Sequence, residues 1–384
     1  MLGVRPWGYV GAVVLFVAAC GGGKGTTTGS GGGGTHAATS SGSGSMSSTG
    51  GSSGSTTASS GTSMSTGTSS SSGNPGGGLF QAKEPWNTPV DQDPADPGSS
   101  TIIDWLSQKG GWGSGGVFKI DFAINIQYAN AGTPMKPFVQ NADFYTPDCD
   151  DLPGFPVPAS GAVEGEAGYG CTMDGDCHLL VVDAAHNKLY EMGRAFAPPD
   201  PSVFNGGCSV VWDLTKAYPP NLRGDGCTSA DAGGFQIAAM IFTADEVAAG
   251  HIDHAIRFIL PNARIRGGNV YVHPGTHTTS ATSGDTNAPP YGVHFRLKKS
   301  FDLAKLPSNG ARTVAKALQK YGMFLADGGN IALTGADDQF TTAKWTDAKV
   351  NVDSKALSAI QVTDFEVVNL GALVTTGDNC IRNP

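Results

Sequence analysis

The sequence predicts a mainly β fold: an antiparallel β-sandwich or jelly-roll-like domain with one or two helices. Three observations predict it. Segments of alternating apolar and polar residues follow one another from residue 117 onward, and such alternation is typical of half-buried strands. Clear helical spacing occurs late, in residues 308–321. A parallel α/β fold would need a helix between most strands, and the sequence lacks such helices.

The strands are predicted in chain order from alternation and turn signals. In VFKIDFAINIQY, residues 117–128, apolar side chains alternate with Lys119, Asp121 and Asn125. CHLLVVDAAHNKLYEMGRAF predicts two strands with a turn near Asn187. Further strands are predicted in SVVWDL, HAIRFIL, GNVYVHP and GVHFRLKKSFDL.

Two helices and a hairpin complete the expected elements. Residues 101–107 predict a short helix. Ser308 or Asn309 can cap a second helix, in which Val314 and Leu318 share one face. MFLADGGNIALTG carries Asp-Gly-Gly between two apolar runs, which predicts a hairpin.

The first 19 residues predict a secretion signal. Arg5 precedes a ten-residue uncharged run from Val10 to Ala19, which is too short for a membrane-spanning helix of ~20 residues. The run ends in Val-Ala-Ala followed by Cys20, which resembles the lipobox of bacterial lipoproteins. The resemblance implies cleavage before Cys20 and attachment of membrane lipid to it. A plain signal peptide with a chance cysteine is the alternative.

The expected location is therefore the cell envelope, lipid-anchored outside the cytoplasmic membrane, and the outer membrane in a Gram-negative cell. Residues 20–79 comprise Cys20 and a Gly/Ser/Thr-rich segment. Such a composition cannot bury enough apolar surface to fold, so it predicts a disordered tether. Residues 80–384 are expected to form a single β-rich globular domain.

The charge distribution bears on possible partners. The chain has a net charge of −9, and residues 1–79 contribute only Arg5 and Lys24, so the folded part is more acidic still. An acidic domain without a Lys/Arg cluster is a poor match for nucleic acid, which is therefore not expected as a partner.

The cysteines predict disulfide bonds. Six cysteines follow Cys20, and an even number in an exported domain is typical of a disulfide framework. A zinc site is the alternative, but the sequence has no CxxC pair; no metal and no cofactor are expected. Local pairing favours Cys171–Cys177 and Cys208–Cys227, which leaves Cys149–Cys380.

Seven segments together resemble a family of secreted bacterial proteins without an assigned activity. In order, they are PWNTPV, GDCHLLVVDAAHNKLYEM, VVWDLTKAYPPNLRGDGCTSADAGG, DEVAAGHIDHAIRFILP, YVHPGTH, PPYGVHFRLKKSFDL and ALQKYGMFLADGGNIALTG. The resemblance implies one continuous domain and no particular chemistry. The sequence departs from the family pattern at Cys227, where Trp is expected before Thr-Ser-Ala-Asp.

The sequence has no GxSxG elbow, no HExxH, no Walker loop and no GxGxxG after a strand. The candidate catalytic residues are therefore sought among loop and strand side chains, and they are His254, His277, Asp231 and Arg223. The strand NVYVH is expected to run antiparallel to HAIRFIL and to carry His277 towards Asp231. A histidine near an aspartate can transfer protons at neutral pH, and an arginine can neutralise a carboxylate or an oxyanion. A buried structural His254 and a disulfide-pinned surface loop are the alternatives.

The candidate substrate-binding residues are His178, Glu191 and Trp212. His178 shares a predicted strand face with Leu180 and Val182. Glu191 could serve as one carboxylate of an acid–base pair, and exposed tryptophans could stack on sugars. The tryptophans expected to be exposed are Trp86, Trp105, Trp112 and Trp212.

These observations predict an anchored extracytoplasmic protein that acts on an extracellular polysaccharide by hydrolysis or β-elimination, as a glycoside hydrolase or polysaccharide lyase. A non-catalytic carbohydrate-binding protein and a structural envelope protein are the alternatives. The histidines distinguish the three possibilities, because only an enzyme requires them.

Overall fold

A computed structural model describes residues 78–172, 175–198, 200, 202–375 and 379–384. These residues belong to a compact unit that spans Ser71–Pro384. The predicted signal peptide, Cys20 and all but the last two residues of the predicted tether lie outside the described residues.

The described residues are mainly β, as predicted, and also contain four α-helices. The helices are α1 (Ser99–Gln108), α2 (Gly113–Gly116), α3 (Ala244–Ala249) and α4 (Asn309–Lys320). The strands are β1 (Ile120–Ile124), β2 (Ile126–Ala129), β3 (Met135–Lys136), β4 (Phe138–Gln140), β5 (Phe155–Pro156), β6 (Leu179–Asp183), β7 (Lys188–Met192), β8 (Phe204–Gly206), β9 (Ser209–Asp213), β10 (Gly224–Asp225), β11 (Ile256–Leu260), β12 (Val270–Val272), β13 (His294–Leu297), β14 (Met323–Gly328), β15 (Leu333–Ala336), β16 (Phe365–Val368), β17 (Leu373–Thr375) and β18 (Ile381–Arg382).

The largest sheet has six strands in the order β1-β15-β11-β14-β13-β16. The predicted hairpin of β14 and β15 is wrong, because β11 lies between them. Asp327 and Gly328 do not turn the chain; they continue β14 in parallel register with Ile259 and Leu260 of β11. The predicted pairing of NVYVH with HAIRFIL is also wrong, since β12 pairs with β17.

A second sheet has four strands in the order β2-β6-β7-β9. The predicted hairpin of β6 and β7 is confirmed, with Asn187 in the turn at a φ of 52°. The segment predicted as one strand over residues 117–128 contributes instead to both sheets. Its first half is β1 of the larger sheet and its second half is β2 of the smaller sheet.

The two sheets pack in a sandwich-like arrangement with layers on both sides. One face of the six-stranded sheet shares a hydrophobic core with the helices, as shown by Phe258 on β11 and Val314 on α4. Its other face shares a core with the smaller sheet, to which Phe324 and Leu180 contribute. The outer face of the smaller sheet, including Val181, packs against short strands. Both faces of each sheet are therefore buried.

All six cysteines after Cys20 form disulfide bonds: Cys149–Cys208, Cys171–Cys177 and Cys227–Cys380. The Cys171–Cys177 pairing is confirmed, and the other two predicted pairings are wrong. The N–H of Asp150 donates to the carbonyl of Ser209 at 2.8 Å, which brings the neighbouring cysteines together. Pairing of β10 with β18 likewise places Cys380 beside Cys227.

Three disulfides indicate an oxidising, extracytoplasmic location. In the part of the chain that the structure describes, no helix is long and apolar enough to cross a membrane.

Candidate functional site

A buried arginine organises the candidate site. The side chains of β11 alternate, so that Phe258 enters the core beneath the helices while Arg257 faces the other side of the sheet. Nε and Nη2 of Arg257 donate to Oδ1 of Asp231 at 2.9 and 2.7 Å. Nη2 also donates to Oδ2 of Asp327 at 2.9 Å, and Nη1 donates to Oγ1 of Thr334 at 3.1 Å. The guanidinium thus binds two carboxylates at once.

Asp231 is the buried carboxylate of this arrangement. Its N–H donates to Oγ of Ser229 at 3.0 Å, and its carbonyl accepts from Oγ1 of Thr228 at 3.1 Å, so the loop holds the residue in place. Its Oδ2 atom is buried and has no hydrogen-bond partner among the described residues. Burial raises the pKa of Asp231 to about 7, although the charge of Arg257 opposes this shift. Asp231 therefore binds a proton more readily than an ordinary aspartate.

His178 lies beside Asp231 and carries a positive charge. Nδ1 is 2.6 Å from Oε2 of Glu164, and Nε2 is 2.9 Å from the carbonyl oxygen of Ala230. Both partners accept hydrogen bonds, so both ring nitrogens must donate, which requires the imidazolium form. Burial disfavours this charge, but the Glu164 carboxylate outweighs it and raises the pKa of His178 to about 10.

Glu164 has the opposite shift from its neighbour Asp121. Burial works against the charged form of Glu164, but the His178 charge prevails and lowers the pKa of Glu164. Burial and the negative charge of Glu164 raise the pKa of Asp121. The two chain segments meet where the N–H of Gly165 donates to the carbonyl of Ala123 at 2.9 Å. Neighbouring carboxylates with opposite pKa shifts are the usual arrangement of a general acid and its partner base.

The site combines accessible carboxylates with buried cations. The side chains of Glu164 and Asp327 are 21% and 23% exposed, and Asp121 is also partly exposed. The N–H and the Nδ1 atom of His178 both contact Oε2 of Glu164. Oε1 has no hydrogen-bond partner in the described part of the chain. We refer to the group as the polar cluster: Asp121, Glu164, His178, Asp231, Arg257 and Asp327.

The four predicted catalytic residues do not all converge. Asp231 belongs to the polar cluster, and Nδ1 of His277 lies 2.8 Å from the carbonyl of Ala232, the next residue. His254 instead contacts Glu246, with Nε2 and Oε1 3.2 Å apart, and lines a separate cavity of about 300 Å³.

Arg223 is also bound elsewhere. Its guanidinium donates to the carbonyls of Thr228 and Asp148 and to Oδ1 of Asp150 at 2.7 to 2.8 Å. These partners tie neighbouring loops together and leave the buried arginine away from any open surface.

The predicted substrate-binding residues are buried. His178 belongs to the polar cluster, whereas Nε1 of Trp212 donates to Oε2 of Glu191 at 2.9 Å in the core. The prediction that four tryptophans are exposed is wrong for Trp86, Trp112 and Trp212, because these rings fill the cores. Trp105 alone of the four is partly exposed. Stacking of a sugar on Trp212 therefore has no support in this conformation.

Sequence reasoning missed four members of the polar cluster: Asp121, Glu164, Arg257 and Asp327. Arg257 had a usable signal, since it is the one charged residue within the apolar segment AIRFIL. Glu164 had none, because it lies in an irregular segment between strands.

Comparison with protein-family models, curated proteins and solved structures found no match. Among the described residues, no three His, Cys, Asp or Glu side chains are placed to hold a metal ion together.

Proposed function

We propose that the protein is an extracytoplasmic glycoside hydrolase, with Asp121 and Glu164 as its acid and base. The observation that carries the proposal is the convergence of six ionisable side chains: three carboxylates, Asp121, Glu164 and Asp327, reach solvent, while Asp231 and the two cations lie buried behind them. Two carboxylates flanking a glycosidic bond are the usual machinery for its hydrolysis.

Each carboxylate has a distinct role in this reaction. Asp121, which retains its proton more readily than an ordinary aspartate, donates it to the glycosidic oxygen as the bond to the anomeric carbon breaks. Ionised Glu164 either attacks the anomeric carbon or takes a proton from the attacking water. If Glu164 attacks the anomeric carbon, water then releases the sugar from Glu164 and its proton restores Asp121; if Glu164 instead takes the proton of the attacking water, that proton returns to Asp121 through solvent.

The buried cations act through these carboxylates. His178 favours the ionised form of Glu164 through its charge and the 2.6 Å contact. Arg257 fixes Asp327 and Asp231 with hydrogen bonds. Both are therefore positioning residues, since neither contacts the accessible surface that a polymer would reach.

The same contacts favour a neutral polysaccharide over an acidic one. Arg257 already binds Asp231 and Asp327, so it is not open to the carboxylate of a uronic acid. The accessible side of the cluster presents Asp121, Glu164 and Asp327, which would repel a negatively charged polymer. Hydrolysis of a neutral glycan therefore has more support than β-elimination of a polyuronate.

Release of reducing ends from a panel of neutral polysaccharides tests the proposal. We expect Asp121→Asn and Glu164→Gln each to lower turnover by roughly 10²–10⁴-fold, because each removes one step of proton transfer or attack. Glu366→Gln is the matched control. Its side chain is also 21% exposed and also paired with a cation, Arg296, but it lies outside the polar cluster, so turnover should not change.

Three results would contradict this function. Unchanged turnover in both variants would exclude Asp121 and Glu164 as the acid–base pair. Cleavage of polyuronates with formation of an unsaturated product would identify a lyase. Glycan binding without any product would identify a non-catalytic carbohydrate-binding protein.

We also propose that Cys20 carries a lipid that anchors the protein to the envelope. The support is the short apolar run that ends in Val17-Ala18-Ala19 before this cysteine. Cys20→Ala should release the protein into the soluble fraction. Sedimentation of the variant with membranes after a high-salt wash would contradict this anchor.

A further inference from the structure

A second cavity lies apart from the polar cluster. Its volume is about 490 Å³, within the range of small-molecule sites. Six separate parts of the chain contribute to its lining, and the described lining includes no member of the polar cluster. We call it the His294 cavity, after the buried histidine on β13; its apolar wall consists of Pro85, Val90, Tyr218, Pro220, Pro274 and Phe324.

His294 is held as a neutral hydrogen-bond acceptor. Its ring stacks on Phe324 with centroids 4.0 Å apart and an interplanar angle of 24°. Nε2 lies 2.7 Å from the carbonyl oxygen of Tyr321, so this nitrogen carries the proton and donates it. Burial lowers the pKa of His294 to about 4, which keeps the ring neutral at pH 7. Nδ1 must then be unprotonated and able to accept a hydrogen bond.

A second histidine in the lining contacts a carboxylate. Nε2 of His273 is 2.8 Å from Oδ1 of Asp225, and that oxygen also accepts from the hydroxyl of Tyr271 at 2.8 Å. The carboxylate therefore takes the proton-bearing nitrogen of His273 as its donor.

Carboxylates add further acceptors to the cavity. Glu84 is almost fully buried, and its Oε1 accepts from the N–H of Tyr218 at 2.9 Å. Asp93 accepts from the side-chain amide of Asn369 at 2.7 Å. Lys83 is the one lysine or arginine in the described lining. The site thus requires a ligand rich in hydrogen-bond donors and without negative charge.

We propose that the His294 cavity binds a neutral polyhydroxylated ring, such as one or two sugar units of a neutral glycan. Its hydroxyl groups would donate to Nδ1 of His294 and to the other acceptors. The C–H faces of the ring would pack on the proline rings and on Tyr218, as apolar faces of sugars do on flat side chains. This site is independent of hydrolysis at the polar cluster, so either assignment can fail without the other.

Calorimetric titration of the intact protein with neutral mono- and disaccharides tests the inference, with glucuronate and glucosamine as charged counterparts. We expect neutral sugars to bind and glucuronate not to bind. His294→Phe keeps a ring against Phe324 but removes the acceptor, so affinity should fall at least about tenfold. Asp121→Asn and Glu164→Gln should bind these sugars as the wild type does, even where turnover is lost.

A second variant keeps the test decisive if His294→Phe does not fold. His273→Gln alters a side chain that is about one third exposed, and it too should weaken binding. Equal affinity of the wild type and of every folded variant in the cavity would overturn the inference. So would binding of glucosamine alone, or no binding of any neutral sugar at millimolar concentration.

Discussion

The polar cluster and the His294 cavity each contain a buried histidine, and the two histidines have opposite charge states. His178 is 5% exposed and His294 is 6% exposed. Yet the pKa of His178 is raised to about 10 and that of His294 is lowered to about 4. The partner explains the difference, because His178 contacts the Glu164 carboxylate whereas His294 contacts a backbone carbonyl and an aromatic ring.

Burial alone therefore does not set the charge of a histidine. In the polar cluster, a carboxylate at 2.6 Å overcomes the cost of burying the imidazolium. In the cavity, Arg296 lies close enough to add to the cost of charging His294. The first region can therefore stabilise an ionised base, while the second offers uncharged acceptors to a ligand.

The largest expected effect comes from removing the cation of the polar cluster. Arg257→Met leaves Asp231 and Asp327 without their counter-charge, so the free energy of unfolding should fall by about 3–5 kcal/mol. Arg296→Met, near the cavity, is the control and should cost less, because its partner Glu366 is 21% exposed and can be hydrated. Denaturant unfolding measures both. An equal or larger loss in Arg296→Met would remove the distinction between the two regions.

Acid should lower the free energy of unfolding because it protonates His294 in the cavity. The unfolded His294 binds a proton near pH 6.5, but the folded residue does so only near pH 4. Its contribution to stability is therefore lost as pH falls from about 6.5, by up to about 3 kcal/mol at pH 4. His294→Phe should show a smaller loss of unfolding free energy between pH 7 and pH 4.5. Identical pH dependence in the two proteins would show that His294 is charged when folded.

Removal of the Glu164 carboxylate should lower the pKa of His178, so that its charge state becomes more like that of His294. In Glu164→Gln, the pKa of His178 should fall from about 10 towards its ordinary value of about 6.5, since the contacting carboxylate is gone and the charge of Asp176 remains to oppose burial. Loss of the ion pair between His178 and Glu164 should lower the free energy of unfolding by about 1–3 kcal/mol. NMR titration of the ring measures the pKa, with Glu366→Gln as the control. A His178 pKa that stays above 8 in the variant would contradict this account.

A pH effect of the opposite sign is expected at Asp231. Its folded pKa of about 7 means that the native state binds more protons than the unfolded state between about pH 4 and pH 7. Stability should therefore decline as pH rises through this window. Asp231→Asn removes the titrating carboxyl and should flatten the decline. Thermal unfolding at pH 5 and pH 8 tests this. The same change of stability with pH in the variant and the wild type would show that a group other than Asp231 binds the proton.

Local features of the fold were predictable from the sequence, and long-range pairings were not. The turn at Asn187 and the Ser308 cap depend on neighbouring residues, and both are present: Oγ of Ser308 accepts from the N–H of Ala311 at 3.0 Å. The insertion of β11 between β14 and β15 depends on residues about 70 positions apart. The Asp-Gly-Gly turn sequence between β14 and β15 carries no information about β11, which pairs with both of them.

The same division applies to the site. Asp231 and His178 stood out because polar residues occurred in a glycine-rich loop and on an apolar strand face. Glu164 joins them through tertiary contacts of its segment with His178 and with β1. Its pKa, and that of Asp121, depend on which charges the fold brings close.

The disulfide topology has a consequence for the biogenesis of the protein. During N- to C-terminal export, thiols emerge in the order Cys149, Cys171, Cys177, Cys208, Cys227 and Cys380. Oxidation of successive pairs would join Cys149 to Cys171 and Cys177 to Cys208, and both linkages differ from the native ones. Cys227 must also wait for a partner 153 positions later. Maturation therefore requires thiol–disulfide exchange or delayed oxidation, and a cell that lacks disulfide isomerase activity should accumulate misbridged protein.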